Sequence, residues 1–530
     1  MWLGVRNVIP RRRSSCARLA VTATMCVALF ASPGVSVGQS ANVPQEVTVN
    51  FLTQGEPDSL DPNRASFGYA VDGAVVRNVF ETLLRFDENL VPQPAAAESY
   101  EVSLDGTTYT FHLRADGRWS DGQPVIASDF EFSWRRLLAS KNQYAPLFAA
   151  AGITGVSAPD DLTFVVQVKQ PSGALPDLAA LWMAAPLRPD TVTANPDTWA
   201  TDPATYLGNG PFMLSEWVHG DHLTLVPNPY YTAHLGWPLP TLAKVTVLME
   251  TNPEAAYAAY TSASNAGPDW ILVPDQEVNS VLNDASLTAE SRQYNELTTF
   301  WLAMNNARPP LNNTLARRAI SKAIDRAALV RDLATGVSIP TTSVIPPGMP
   351  GFVSGLGHDL DFDPAGAKAL LSQAGFSTAS PLTFRYTDTP SDLRRAQWFQ
   401  DQLSSTLGLT VQLATSGDYD LTFGGWSADY PDPQDWLGLL FGCKAPFNTL
   451  TFCDPAFDQL VARADTTSGA DRSGLYAQAQ TQLMQDVPVA PLFNRGRLVL
   501  IKPWVDSLKL SPFDDCPGSL FLDEVRILPH

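Results

Sequence analysis

Thr108-Tyr109-Thr110-Phe111-His112-Leu113-Arg114, then Trp119-Ser120-Asp121-Gly122-Gln123-Pro124, then Ser128-Asp129-Phe130 follow one another closely in the first third of the chain. The first run alternates strictly, so Tyr109, Phe111 and Leu113 share one face of a strand and His112 lies on the other, where an exposed strand histidine is the plain reading. Gly122 and Pro124 make the second run a turn. Ser128-Asp129 caps a helix over residues 130–138 that carries Phe130, Trp134, Leu137 and Leu138.

The same two periods recur on either side of this block. Toward the N-terminus, Val47, Val49 and Phe51 alternate in a strand stopped by Gly55 and Pro57. Residues 70–84 bring Val71, Ala74, Val75, Val79, Leu83 and Leu84 together at helical spacing, and Phe86-Asp87-Glu88-Asn89 turns the chain. Toward the C-terminus, residues 162–168 read as a strand, and Asn209-Gly210-Pro211 opens a hairpin of 212–218 with 223–226, turned at His219-Gly220-Asp221-His222. Residues 315–333 predict one long helix with Ala316, Ala319, Ile320, Ala323 and Ile324 inward and Gly336 as its stop. Arg317, Arg318, Lys322 and Arg326 are assigned to its solvated face. Asp363-Pro364 starts a further helix, and residues 392–407 and 475–485 are amphipathic.

With 530 residues, 45% of them hydrophobic, the chain can build two or three cored domains. Asp and Glu outnumber Lys and Arg by 54 to 35, an acidic balance that repels nucleic acid and anionic membrane surfaces. Residues 1–45 differ: Arg6, Arg11, Arg12, Arg13 and Arg18 precede an apolar run over 19–30 and a small-residue stretch, the pattern of a secretory signal. Twin-arginine export is the alternative to the general secretory route. The apolar run is too short to span a membrane, so the mature protein is expected in solution. Of the three cysteines beyond this segment, Cys443 and Cys453 share a Pro- and Asn-containing loop and are expected to pair in an oxidising compartment, leaving Cys516.

Asp359, Asp361 and Asp363 resemble the start of a calcium loop, but Pro364 and Leu370 stand where the motif needs glycine and glutamate. His219 and His222 flank a tight turn with no third ligand near in the chain. Gly34-Val35-Ser36-Val37-Gly38 falls in the signal segment, so it is no nucleophile elbow. With no phosphate loop or zinc-protease motif either, no cofactor and no catalytic residues are expected.

Gly424-Gly425-Trp426-Ser427-Ala428-Asp429-Tyr430-Pro431-Asp432-Pro433 is the stretch that points to a ligand. The strand beginning at Tyr419 is expected to end in the two glycines, which admit other backbone, before an acidic turn centred on Asp429. A carboxylate without catalytic partners suits a cation. Read alone, Asp429 is a turn residue or a helix cap before it is a cation receptor.

Several stretches together resemble family 5 of the bacterial solute-binding proteins, the oligopeptide- and dipeptide-binding proteins of ABC importers. They are Arg77 to Leu84, the Tyr109 to Asp129 block, Asn209-Gly210-Pro211-Phe212 through Asn228-Pro229-Tyr230-Tyr231, Asn305-Asn306 before the basic helix, and Asp363-Pro364. The resemblance implies an α/β fold: a two-lobed periplasmic binding protein, type II and cluster C-like, with an extra small domain and a hinge between lobes. The expected boundaries are 1–45 for the signal and tail, 46–80, 206–297 and 488–530 for lobe I, 81–205 for the extra domain, and 298–487 for the other lobe. Its implied function is to capture short peptides in a closing cleft in the periplasm, as a monomer and not an enzyme, and deliver them to ABC transporter permease subunits. A nickel chelate, haem, an oligosaccharide or an opine is the alternative cargo.

The resemblance makes Asp429 the receptor of a peptide α-amino group, with Gly425, Trp426 and Ser427 beside the main chain. Tyr69 and Ala70 would lie in a segment running along the ligand. Residues 414–418 are much shorter than the corresponding family segment, and Phe423 stands where some members carry a base for the ligand carboxylate. Arg394 is the nearest replacement, with a solvated helix face as its other reading.

Overall fold

A computed structural model describes residues 44–530 except 65–71, 143, 264–266, 335, 378–379 and 515. The arginine-rich leader therefore lies outside the described residues, as do Tyr69 and Ala70. Two long strands, Ser291–Met304 and Val489–Ile501, pair antiparallel at the centre of an eleven-stranded sheet. On one flank stand Leu421–Ser427, Leu382–Arg385 and Val411–Ala414; on the other stand Trp270–Leu272, Glu46–Val49, Lys244–Leu248 and the hairpin His222–Pro227 with Phe212–Val218. The short Ile339–Pro340 also pairs with the second long strand.

The two flanks have different cores. One cluster draws mainly on residues from Val47 to Trp270 together with Leu522, Val525 and Ile527; the other draws on residues from Leu297 to Phe493. The long strands link these two lobes. Their register slips between them: Asn295 faces Gly496 and Thr299 faces Asn494, so Glu296, Leu297 and Thr298 bulge opposite Arg495 alone. Gly496 follows that bulge, where a Cβ would lie 1.9 Å from the Val337 carbonyl oxygen. Gly496→Ala is therefore expected to cost about 1–3 kcal/mol, read as a lower urea midpoint, and an unchanged midpoint would refute this close approach.

A four-stranded antiparallel sheet, Ala97–Val102, Thr108–Leu113, Thr163–Val168 and Ile153–Asp160, forms the small domain and packs the helix Ala127–Ala139. Tyr109, Phe111 and Leu113 are buried as their alternation requires. The cap differs from expectation, because Ile126 holds the capping position and Ser128 and Asp129 lie inside the helix. Asp129 instead accepts from Ile126 N and Trp119 Nε1 at 3.1 and 3.0 Å, tying the helix start to the turn, and burial raises its pKa to about 6. Asn209 is a second clamp: its amide exchanges two 2.9 Å hydrogen bonds with the backbone of Glu81.

Three further expectations are corrected. The first helix runs only over Gly73–Val79, and Leu84–Phe86 is a strand. Residues 315–333 form two helices, Thr314–Lys322 and Arg326–Leu333, because the Asp325 side chain caps the second by accepting from Ala328 N at 2.9 Å. Arg317 and Arg326 are buried rather than solvated. Arg317 donates to the carbonyls of Asp486, Val487 and Leu311, and Arg326 to those of Pro491, Ser321 and Leu360. Guanidinium groups can be dehydrated here because backbone carbonyls satisfy them. Among the described residues no helix is long and apolar enough to cross a membrane.

Candidate functional site

The strand Leu421–Ser427 continues through Gly424 and Gly425 instead of ending there. Its neighbour in the sheet explains the glycines: Gly425 pairs with Phe300 and Gly424 with Trp301. A Cβ at Gly425 would lie 2.6 Å from Phe300 Cδ1, and one at Gly424 would lie 3.0 Å from Trp301 Nε1. The glycines thus admit two aromatic rings and leave the strand straight enough to deliver Trp426 and Ser427 to its end.

Asp429 follows in a bend that is held from below. Asp432 caps the helix Pro433–Leu440 by accepting from Gln434 N at 2.8 Å, and the helix in turn presents Asp435, fully buried, to the bend. Asp435 Oδ2 accepts from Asp429 N and from Trp426 Nε1, each at 3.0 Å. Burial and the neighbouring Asp429 charge push the Asp435 carboxyl well above its ordinary pKa, which favours its neutral form. The half-buried Asp429 side chain is left at the wall of a cavity of about 900 Å³.

This cavity lies between the two flanks of the sheet. Residues 425–429 and Phe300 line one side; Phe51, Trp270, Trp182 and Phe513 line the other, so both walls carry aromatic rings among polar residues that include Glu250 and Asp275. Gly425, Trp426, Ser427 and Asp429 are thereby brought together. Arg394 is not: it is exposed on the helix Pro390–Leu407 and absent from the lining. Its neighbour Arg395 lies 4.1 Å over the Phe423 ring and pairs with Asp392, and it too is absent from the lining. Phe423 itself stacks on Phe300 at 5.3 Å.

The arginines that do line the cavity are Arg77, Arg495 and Arg497. Arg495 and Arg497 escaped the sequence reading, although their signal is visible there: two arginines at alternate positions in the apolar run Leu492 to Leu500 share one strand face. Arg497 Nε lies 2.5 Å from Glu296 Oε1, and Arg495 Nε lies 3.7 Å from Glu296 Oε2. Cys516 also lines the cavity, its sulfur 3.4 Å from the Phe51 carbonyl. Cys443 and Cys453 are joined by a disulfide, S–S 2.03 Å, between the Asp432-capped helix and the helix Pro455–Asp465. Among the described residues no group of three or more His, Cys, Asp or Glu side chains is placed to hold a metal ion.

The cap residue Asp432 also belongs to a buried charge cluster. Arg472 grips its carboxylate through both terminal nitrogens, at 2.5 and 2.8 Å. Asp465 lies beside this pair, its pKa pushed up to about 6 by burial. From the small domain, the Gly173 amide donates to the Asp465 carbonyl at 3.1 Å. Asp177, on the helix Leu175–Ala179, enters the same cluster, and burial with the Asp432 charge raises its pKa well above normal.

Comparison with known proteins places these features among relatives. The family described as bacterial extracellular solute-binding proteins, family 5, matches residues 91–448. The probable deoxycholate-binding periplasmic protein YgiS of Escherichia coli is 29% identical over 88% of this chain and 91% of its own length. The periplasmic oligopeptide-binding protein OppA of Salmonella typhimurium is 29% identical over 96% of this chain and 97% of its own. The structure of the murein tripeptide-binding protein MppA in its unliganded open form is similar with a TM-score of 0.77, at 28% identity, over 92% of this chain and 98% of that one.

Proposed function

The chain belongs to family 5 of the bacterial extracellular solute-binding proteins, and we propose that it captures short peptides in the cavity between its lobes and passes them to the permease subunits of an ABC importer. The observation that carries this reading is Asp429, whose bend is fastened by Asp435 at the wall of a cavity of about 900 Å³. A peptide's ammonium needs a carboxylate once it leaves water, and bonds to its main chain give affinity that does not depend on side-chain identity. We place the protein in the periplasm, exported by its N-terminal segment and acting as a monomer without catalysis. The relatives named periplasmic support that location.

A second reading has its own support: the aromatic rings in the walls and the likeness to a protein named as a probable deoxycholate-binding one suit an apolar carboxylic acid with no amine. Calorimetric titration with di- to pentapeptides, run beside a bile acid, separates the two. Saturable one-to-one binding of peptides, with a smaller radius of gyration by X-ray scattering on saturation, is the expected result. Binding of the bile acid alone would replace the first reading by the second.

A further inference from the structure

Resting on the peptide reading of the cleft, we propose that Arg495 receives the ligand's terminal carboxylate, and that its spacing from Asp429 selects ligands of two to three residues. The pairing registers give the spacing. Trp426 is opposite Thr299, and Thr299 is opposite Asn494, so the strand carrying Arg495 lies two strands across from the strand that leads into Asp429. At about 4.8 Å per strand that is about 10 Å across; Asp429 lies three residues beyond that level and Arg495 one, an offset of about 7 Å along the strands that brings the backbone separation to about 12 Å. Both outer strands run antiparallel to the middle one, so residues 427–429 and 495–497 continue beyond this level in the same direction, and residues 427–429 line the same cavity as Arg495 and Arg497. An extended chain advances about 3.4 Å per residue, so the α-nitrogen and carboxylate of a di- or tripeptide stand about 7–10 Å apart. With a bond of about 3 Å at each end, the two charged groups must stand about 13–16 Å apart, a span to which the Asp429 and Arg495 side chains adjust the backbone separation.

Charge and exposure point the same way. Arg495 and Arg497 share one carboxylate, Glu296, which is 5% exposed. Arg497 holds the shorter contact, and among the described residues no second carboxylate lies within 4.0 Å of Arg495. Glu296 thus gives Arg495 only a long ion pair, while Asp275 and Glu250 also line the cavity. The Arg495 side chain is 34% exposed, and its guanidinium lies 5.9 Å from the Phe300 ring that also lines the cavity. Burial and the Arg497 charge lower its pKa, with Glu296 and Asp275 acting against them. The bulge at Glu296–Thr298 aims this position, since Arg495 faces three residues of the adjoining strand where a regular ladder would give one.

The test is calorimetry with a free-acid tripeptide, its C-terminal amide and a bile acid on the wild-type protein, Arg495→Gln and Arg495→Lys, with matched thermal unfolding as the folding control. The wild type is expected to favour the free acid over the amide by about 10- to 100-fold, the scale of a charged hydrogen-bonded pair. Arg495→Gln should lose that preference while holding the amide as before, and Arg495→Lys should regain part of it. In a length series, affinity should be greatest at two or three residues. An acid-to-amide ratio unchanged by Arg495→Gln overturns the assignment and leaves the peptide reading standing. If the wild type takes neither peptide but takes the bile acid with the same dependence on Arg495, the peptide reading falls and the carboxylate receptor stands; loss of all three ligands overturns both.

Discussion

Asp429→Asn is expected to weaken a tripeptide by about 1.5–3 kcal/mol, or about 10- to 150-fold in Kd, while leaving the fold intact. The substitution keeps the shape of the bend, because the bond from residue 429 to Asp435 comes from the backbone amide and not from the side chain that changes. Acetylating the peptide removes the positive charge from the other partner. The wild type should lose about as much affinity for the acetylated peptide as the variant loses for the free one, and the double change should cost little more than either. Additive losses would mean that the amine and Asp429 act separately. Calorimetry on the four combinations decides the matter.

Arg472→Met carries the largest expected loss of stability. Arg472 is the cation of a cluster in which Asp432 and Asp465 come from one lobe and Asp177 from the small domain. Removing one partner of a buried pair typically costs about 3–5 kcal/mol, because the remaining charge stays dehydrated. The loss should depend on pH. Asp465 has a folded pKa of about 6 against an ordinary 3.8, so between these values the folded protein holds a proton that the unfolded chain has released. Arg472 holds that pKa down, so removing it raises the pKa further, and the variant's penalty is worst above pH 6 and relieved as the carboxyls take up protons below it. Asp177 shifts in the same direction. The variant should thus sit far below the wild type in urea midpoint at pH 7 and approach it at pH 5; a pH-independent gap would exclude the carboxyls as its cause.

What the sequence made legible was local and periodic. The alternation of Tyr109, Phe111 and Leu113 needs only the strand's own geometry, and the hairpin at His219 to His222 needs only its turn. The Gly424 to Pro433 stretch was legible because it concentrates unusual residues in one place. The failures share a different cause. Arg317 and Arg326 lie on helix positions that spacing assigns to solvent, and their carbonyl partners at Asp486 and Pro491 are distant in the chain. Helical period carries no information about where another helix or strand ends. Arg394 stands in the sequence as the replacement for a base missing near the shortened 414–418 segment, whereas Arg495 lines the cavity through strand pairing. Asp435 was hidden for a subtler reason: an acid in the first turn of a helix already has an ordinary explanation, so nothing flagged its bonds to Asp429 and Trp426.

The bulge at Glu296–Thr298 has a mechanical consequence. It sits on the pair of strands that join the lobes, so it lies at the fulcrum of any closing motion, and the Arg495 wall stands directly on it. An object wedged near the pivot of a pair of jaws changes their angle far more per ångström than one held at the tips. A peptide one residue too long would be penalised by the leverage of two whole lobes as well as by its own misplaced carboxylate.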